Sequence, residues 1–280
     1  MDNQIDPLRD YANQAAVPDF QSYFDRWRSS SASLRNKHTC FADVPYGAGW
    51  RQTCDIFAAP ATDAPVLIFI HGGWWHFLDK ADHSFVAEPF LERGATVVLL
   101  NYPLAPMVAI EHIVESVRQG VAWVRDNIAR FGGDPSHMVV SGHSAGGHLT
   151  AMIAQEDTNR ERSAHKMVRG CVSISGVYDL TAILDTPHNR NIRMLPCTAE
   201  NASAITAIET ADCSMTIAVG EKETPGFLRQ HNIFKERYAS AGKSLKDLIC
   251  DGDNHFSIVD RLSQRDSVLF RTTWLEMTSA

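Results

Sequence analysis

The stretch His137-Met138-Val139-Val140-Ser141-Gly142-His143-Ser144-Ala145-Gly146-Gly147-His148-Leu149-Thr150-Ala151-Met152-Ile153 changes character at Ser144. Ahead of it, Met138–Ser141 is a short apolar run that reads as a strand. Behind it, Ala145–Gln155 reads as a helix. Gly142, Ser144 and Gly146 form a G-x-S-x-G pattern at the junction. A strand that turns directly into a helix leaves no room beside the turn, so the residues two before and two after its apex must be small. The apical serine then projects from the turn, and the helix N-terminus behind it favours developing negative charge. G-x-S-x-G alone is a weak pattern; the strand–turn–helix setting makes Ser144 a candidate nucleophile.

A second glycine-rich turn, His71-Gly72-Gly73-Trp74-Trp75, follows the apolar run Val66–Ile70 about seventy residues upstream. Acyl transfer puts negative charge on a carbonyl oxygen. Backbone N–H groups aimed at that oxygen stabilise it by roughly 3 kcal/mol each, and glycines let the backbone come close. The expected donors are the N–H groups of Gly73, Trp74 and Ala145, with Gly72 supplying the turn.

A serine hydroxyl needs a base. The chain holds 12 histidines, and His255 is the one that follows the last apolar strand, in Gly252-Asp253-Asn254-His255-Phe256, late in the chain as the order Ser, acid, His requires. His143 lies inside the elbow and is expected to point elsewhere; His71 and His76 are expected to hold or line the upstream turn. The acid that orients the base is expected after the strand Met215–Val219, in Gly220-Glu221-Lys222-Glu223-Thr224-Pro225. Spacing leaves Glu221 and Glu223 both open, with Asp251 and Asp253 as more distant candidates. His76, Asp79 and His83 have a spacing that could suggest metal ligands, but loop and helix-surface roles explain them. No metal or cofactor is called for.

Around these motifs strands and helices alternate. Strands are expected at Thr39–Tyr46, Arg51–Ala58, Val66–His71, Thr96–Tyr102, Met138–Ser141, Gly170–Ser175, Met215–Val219 and Leu245–Cys250. Helices are expected at Asp82–Arg93, Glu111–Phe131, Ala145–Gln155, Pro225–Ala241 and Phe256–Met277. Continuous runs such as Val66–Ile70 and Val97–Leu100 suit parallel strands buried on both faces. The predicted fold is α/β: a mainly parallel central sheet of about eight strands flanked by helices, in one domain over 1–280. Residues 1–38 read as an N-terminal arm, because Phe20, Tyr23, Phe24 and Trp27 form a helical stripe able to pack on the body or cover the site. Residues 181–209 read as an insertion above the sheet edge, a candidate lid.

A formal charge of −7 with no Lys/Arg cluster argues against nucleic acid. The polar start MDNQIDPLRD is not a signal peptide, and no run approaches the ~20 apolar residues of a membrane span. Six scattered cysteines without a CxxC pair are expected to be buried free thiols in a reducing cytosol, so the expected location is cytoplasmic and the expected partner a small-molecule substrate. The arm or an exposed strand edge would be the surface for a homodimer.

With HGGxW at 71–75, the serine motif at 142–149, Ser175-Gly176-Val177-Tyr178-Asp179-Leu180 and Asn254-His255-Phe256 in hand, the chain resembles the α/β-hydrolase relatives of kynurenine formamidase (arylformamidase) and, more distantly, the hormone-sensitive-lipase-like esterases, over about residues 10–275. The resemblance implies an α/β-hydrolase fold. It aligns the family's Gly-x-x-Asp-Ser-Pro-like stretch with Gly220–Pro225, which selects Glu223 over Glu221 and puts Glu where Asp is usual. The expected reaction is two-step acyl transfer on a small aromatic amide or ester, the best fit being N-formylkynurenine to kynurenine and formate. A broad short-chain carboxylesterase, a hydrolase of another amide or carbamate, and a non-catalytic small-molecule binder are the alternatives. Trp74, Trp75, Tyr102 and Tyr178, all near strand ends, are the expected aromatic walls.

Overall fold

The computed structural model describes residues 6–155 and 168–279; the first five residues of the arm lie outside the described residues. The strands are β1 (Cys40–Pro45), β2 (Thr53–Phe57), β3 (Ala64–Ile70), β4 (Thr96–Leu100), β5 (Gly133–His143), β6 (Gly170–Ile174), β7 (Ser214–Gly220) and β8 (Lys246–Cys250). They form one sheet in the order β1-β2-β4-β3-β5-β6-β7-β8. β2 runs antiparallel to both β1 and β4, and the remaining pairs are parallel. This is the α/β-hydrolase fold.

Helices cover both faces of the sheet, and β3 shows why its sequence is apolar throughout. Val66, Ile68 and Ile70 pack into the core on one face, while Leu67 and Phe69 pack into the core on the other. A strand buried on both sides cannot alternate apolar with polar residues. The helices are α1 (Pro7–Asp10), α2 (Asn13–Ala16), α3 (Phe20–Lys37), α4 (Glu88–Leu91), α5 (Ile110–Asn127), α6 (Ala145–Ile153), α7 (Pro187–Ile192), α8 (Pro196–Asn201), α9 (Pro225–Ser240), α10 (Ser257–Asp260) and α11 (Val268–Thr278). The arm's stripe faces the second core: Phe24 and Trp27 are buried, and the Trp27 indole N–H donates to Asp260 Oδ1 at 2.8 Å. Truncating a ring so placed costs roughly 3–5 kcal/mol.

Two expected helices are broken. Asp82–Arg93 is a 3-10 segment, Lys80–Ala87, followed by α4. Pro89 has no N–H to continue an earlier helix and sits in the first turn of a new one. Phe256–Met277 splits into α10, a 3-10 turn at Arg261–Ser263, and α11. Ser267 caps α11 by accepting from Phe270 N at 2.9 Å and donates its hydroxyl to Arg261 O at 2.6 Å, so the chain stops and restarts where the apolar period alone runs on. The cysteines are free thiols, but only Cys54, Cys171 and Cys250 are buried; Cys40 and Cys213 are half-buried and Cys197 is exposed.

The sheet's polarity positions the site. Loops after β3, β5, β6, β7 and β8 all leave from the C-terminal edge of parallel strands, where crevices form in open α/β sheets. They carry His71–Trp75, Ser144, Ser175, Glu223 and His255.

Candidate active site

Ser144 joins β5 directly to α6 with φ 57° and ψ −116°. An L-residue rarely takes this backbone conformation, which costs about 1–3 kcal/mol. The surroundings impose it. Ser144 N donates to Ile174 O at 2.8 Å, and His148 N donates to Ser144 O at 3.0 Å. A Cβ on Gly142 would lie 2.3 Å from Gly146 O, and one on Gly146 would lie 2.1 Å from Ile70 O. The turn therefore exists only with glycine at both places.

The upstream turn is as constrained. Gly73 has φ 99°, and Trp74 and Trp75 follow at 48° and 57°. Positive φ at two consecutive tryptophans is unusual for bulky residues and could not be read from composition. His76 N and Phe77 N both donate to Gly73 O, at 3.0 and 3.1 Å. The Tyr102 hydroxyl is shared between His71 O at 3.0 Å and Gly72 O at 3.1 Å. The turn lies against the elbow, since a Cβ on Gly72 would be 3.2 Å from Ser144 Cβ. The N–H groups of Gly73 and Trp74 donate to no backbone acceptor among the described residues, and Ala145 opens α6, where a helix leaves its N–H groups free.

His255 and Glu223 meet. Nδ1 of His255 lies 2.7 Å from Glu223 Oε2; a carboxylate only accepts, so Nδ1 carries the hydrogen and Nε2 is left for a reacting group. The other carboxylate oxygen, Oε1, accepts from Ser175 Oγ at 2.5 Å and Gly220 N at 3.0 Å. Glu221, the other candidate by spacing, accepts instead from Gly252 N at 2.8 Å, away from the imidazole. Asp251 is exposed, and Asp253 is engaged by Arg261 and Ser257. Asn254 holds the histidine loop by accepting from Phe256 N and Ser257 N at 2.8 and 2.9 Å.

His143 does not point elsewhere. Its ring centroid is 4.7 Å from that of His255, and its Nε2 lies 2.8 Å from His255 O. Burial, then the neighbouring His255, hold its pKa well below the ordinary histidine value, so it is a neutral donor that fixes the His255 backbone. Burial also pushes His71 down to about 3 and His148 down to about 4. The Trp75 indole N–H donates to His148 Nδ1 at 3.3 Å. The ring hydrogen of His148 is therefore on Nε2, which donates to Ala202 O at 2.7 Å.

Ser144, His255, Gly73, Trp74 and His143 open on one cavity of about 240 Å³. Its other walls are residues 7–8 and 11–15 of the arm, Phe24 and Trp27 of α3, Phe77, Leu78, Phe256, and Pro187 with His188 of α7. No Asp, Glu, Lys or Arg is among the described residues that line it.

The BD-FAE family profile matches residues 54–237, well over half of the chain. The chain belongs to the BD-FAE family. This BD-FAE chain is 29% identical over 273 residues to kynurenine formamidase of Danio rerio, covering 95% of itself and 92% of that relative. It is 36% identical over 151 residues to esterase LipQ of Mycobacterium tuberculosis, covering 50% of itself and 36% of LipQ. A solved candidate thioesterase from Silicibacter sp. tm1040 superposes with a TM-score of 0.87 at 28% identity, over 97% of this chain and 100% of that one. The Pyrobaculum calidifontis esterase, at TM-score 0.71 and 18% identity over 97% and 98% of the two chains, shares the fold. The BD-FAE chain is a serine hydrolase acting on an ester or amide.

Of the four expected aromatic walls in this BD-FAE member, Trp74 alone reaches the cavity, stacked on His188 at 3.9 Å. Trp75 is fully buried against His148. Tyr102 lies under the 71–73 backbone, its ring 4.3 Å from His71. Tyr178 donates to or accepts from Ser173 Oγ at 2.8 Å and stacks on Phe234 at 4.1 Å. These three rings support the loops from behind, because strand-end side chains that alternate inward are taken by the core. The aromatic surface comes instead from Tyr11, Phe24, Trp27, Phe77 and Phe256. The stripe in α3 hinted at Phe24 and Trp27; Ser175 stood in the Ser175–Leu180 motif without a role, and nothing in the sequence marked Tyr11 or His188.

Proposed function

We propose that the chain is an arylformamidase whose nucleophile is Ser144, with N-formylkynurenine as the best-fitting substrate. The observation that carries this reading is the meeting of Ser144 and the Glu223–His255 pair in one small, aromatic, covered cavity; the likeness to kynurenine formamidases along nearly the whole chain supports it. Ser144 Oγ attacks the formyl carbon while His255 Nε2 takes its proton. Glu223 holds the imidazole in the required tautomer and stabilises the imidazolium. The N–H groups of Gly73, Trp74 and Ala145 receive the oxyanion. His255 returns the proton to the departing arylamine, leaving a formyl-serine. Water, deprotonated by His255, then attacks that ester. Formate leaves, and Ser144 regains its hydrogen.

A second reading, a short-chain carboxylesterase, is favoured by the wall, which among the described residues offers a substrate carboxylate no Lys or Arg. The two separate on kcat/KM for N-formylkynurenine and p-nitrophenyl acetate measured side by side. The proposal requires the formamide to be the better substrate by orders of magnitude, with Ser144→Ala losing at least about 10⁴-fold on either. A faster ester, or an untouched formamide, moves the assignment to the esterase; activity surviving in Ser144→Ala overturns the mechanism.

A further inference from the structure

A second opening lies beside the catalytic cavity, and the two share a wall. α7 gives Pro187 and His188 to the cavity and Arg190 and Asn191 to a cleft of about 350 Å³. Residues two apart on a helix point to nearly opposite sides, so one short helix borders both. The chain after β3 does the same, with Trp74 in the cavity and His76 in the cleft. The shared wall is held in place: His188 stacks on Trp74 at 3.9 Å, and its Nε2 donates to Tyr11 O at 3.1 Å. Arg193, Ala105 and Pro106 complete the cleft, and Ala105 N donates to Trp75 O at 2.8 Å. The segment that carries the arginines is pinned by Asn189. Its Nδ2 donates to Leu184 O at 3.0 Å and to Met194 O at 3.2 Å, and its Oδ1 accepts from Met194 N at 2.8 Å. Arg193 ends α7 with φ 58°, in a left-handed place that glycine usually takes.

In a chain of net charge −7, this cleft has cations and no carboxylate among the described residues that line it. Arg190 and Arg193 are exposed, and neither guanidinium is engaged by another described residue. Burial holds His76 below the ordinary histidine value, so the two arginines carry the charge. A cleft lined by one sign of charge concentrates the opposite ion, and a guanidinium can meet a carboxylate with two N–H groups at once. On the arm side of the cavity the cations are spent. Arg9 and Arg229 both pair with the buried Asp10 carboxylate. There α9 holds the arm through Thr224 Oγ1, which donates to Asp10 O at 2.6 Å, and Gln230 Nε2, which donates to the Tyr11 hydroxyl at 2.8 Å. We propose that Arg190 and Arg193 form a carboxylate subsite that holds the anionic tail of an aryl substrate whose reacting end lies at Ser144. The amino-acid tail of N-formylkynurenine has this chemistry. The inference rests on the aryl-substrate reading above and deepens it: the cation that the cavity wall lacks stands in the next opening.

The test uses 3-benzoylpropionate and its amide, a near-isosteric pair of aryl ketones that differ in charge. Their binding is measured by calorimetry on the wild type, Arg190→Gln, Arg193→Gln and the double variant. In parallel, kcat/KM is measured for N-formylkynurenine and for 2-formamidoacetophenone, which lacks the tail. The wild type should favour the carboxylate over the amide about tenfold, and by less in about 0.5 M salt. The double variant should bind acid and amide alike. Its preference for N-formylkynurenine over 2-formamidoacetophenone should fall by the same factor, through KM. 3-Benzoylpropionate should also slow the labelling of Ser144 by a fluorophosphonate, because one molecule reaches both openings. No binding of the acid, equal affinities for acid and amide in the wild type, a preference that survives in the double variant, or an equal loss on both members of a pair overturns the proposal. Binding of the acid that leaves the labelling rate unchanged overturns it too, since the anion then sits in the cleft alone. If neither formamide is hydrolysed, the formamidase reading falls, while the two ketones still decide the subsite.

Discussion

The cavity has a floor and a cover, built by different physics. The floor is the edge of the sheet: Gly73, Ser144 and His255 each follow a parallel strand, and the backbone at Ser144 is held in a conformation the residue would not choose. Such strain persists only where packing on every side over-determines it. The cover is the arm, in helices of four residues each, and the first turns of α7. Helices this short have no stability of their own; they stay in place through side chains reaching from α9. On the proposed function, the floor would carry out the acyl transfer and the cover would meet the rest of the substrate.

The largest expected effect lies on the floor. Glu223→Gln keeps the size of the side chain but lets its amide donate toward His255, which favours the wrong tautomer. The expected loss is about 10⁴-fold in kcat with little change in KM, read in steady-state kinetics beside a thermal melt that should stay near wild type. A loss under tenfold would mean that another group orients His255.

The next effect lies on the cover. Gly226→Val forces a side chain against Asp10 O, at an overpacking cost of roughly 1–3 kcal/mol. The arm should lift, so kcat/KM should fall about tenfold, mostly through KM, while a fluorophosphonate probe still labels Ser144. Equal damage to labelling and to KM would show that floor and cover do not separate.

The smallest effect concerns the tie between them. His148 bonds Trp75, in the turn at 71–75, and Ala202, just beyond α8. In the unfolded chain this imidazole takes a proton near the ordinary value of about 6.5, but in the folded protein only near 4. The folded state therefore disfavours protonation. Stability is unaffected above about pH 6.5 and falls as pH drops toward 4, by on the order of 3 kcal/mol from this group. Buried His71 and His143 act in the same direction. Thermal melts between pH 7 and 4 should show the decline, and His148→Gln should flatten it; an identical pH slope in the variant would remove His148 from the account.

Trp74 and Trp75 show where reading by sequence stops. Both are tryptophans after the same glycines, with nearly the same φ, yet one lines the cavity and the other is buried in the core. Their sequence neighbourhood is shared, so only the packing of His188 and His148 separates them. Likewise Glu221 and Glu223 were equal by spacing. The resemblance chose between them, and the geometry that pairs Glu223 with His255 depends on how the chain leaves β7 at Gly220, whose missing side chain lets Asp253 O approach.

By itself the sequence determined what is local: the parallel strands from their unbroken apolar runs, and the strand–turn–helix elbow from glycines flanking Ser144. Each follows from backbone sterics and side-chain period within a few residues. Only the tertiary structure decided what covers the floor, which rings line the cavity and that Ser175 buttresses Glu223. Those facts depend on segments as far as 219 residues apart meeting at one edge of the sheet, and no local pattern encodes which side chain will be left exposed when they do.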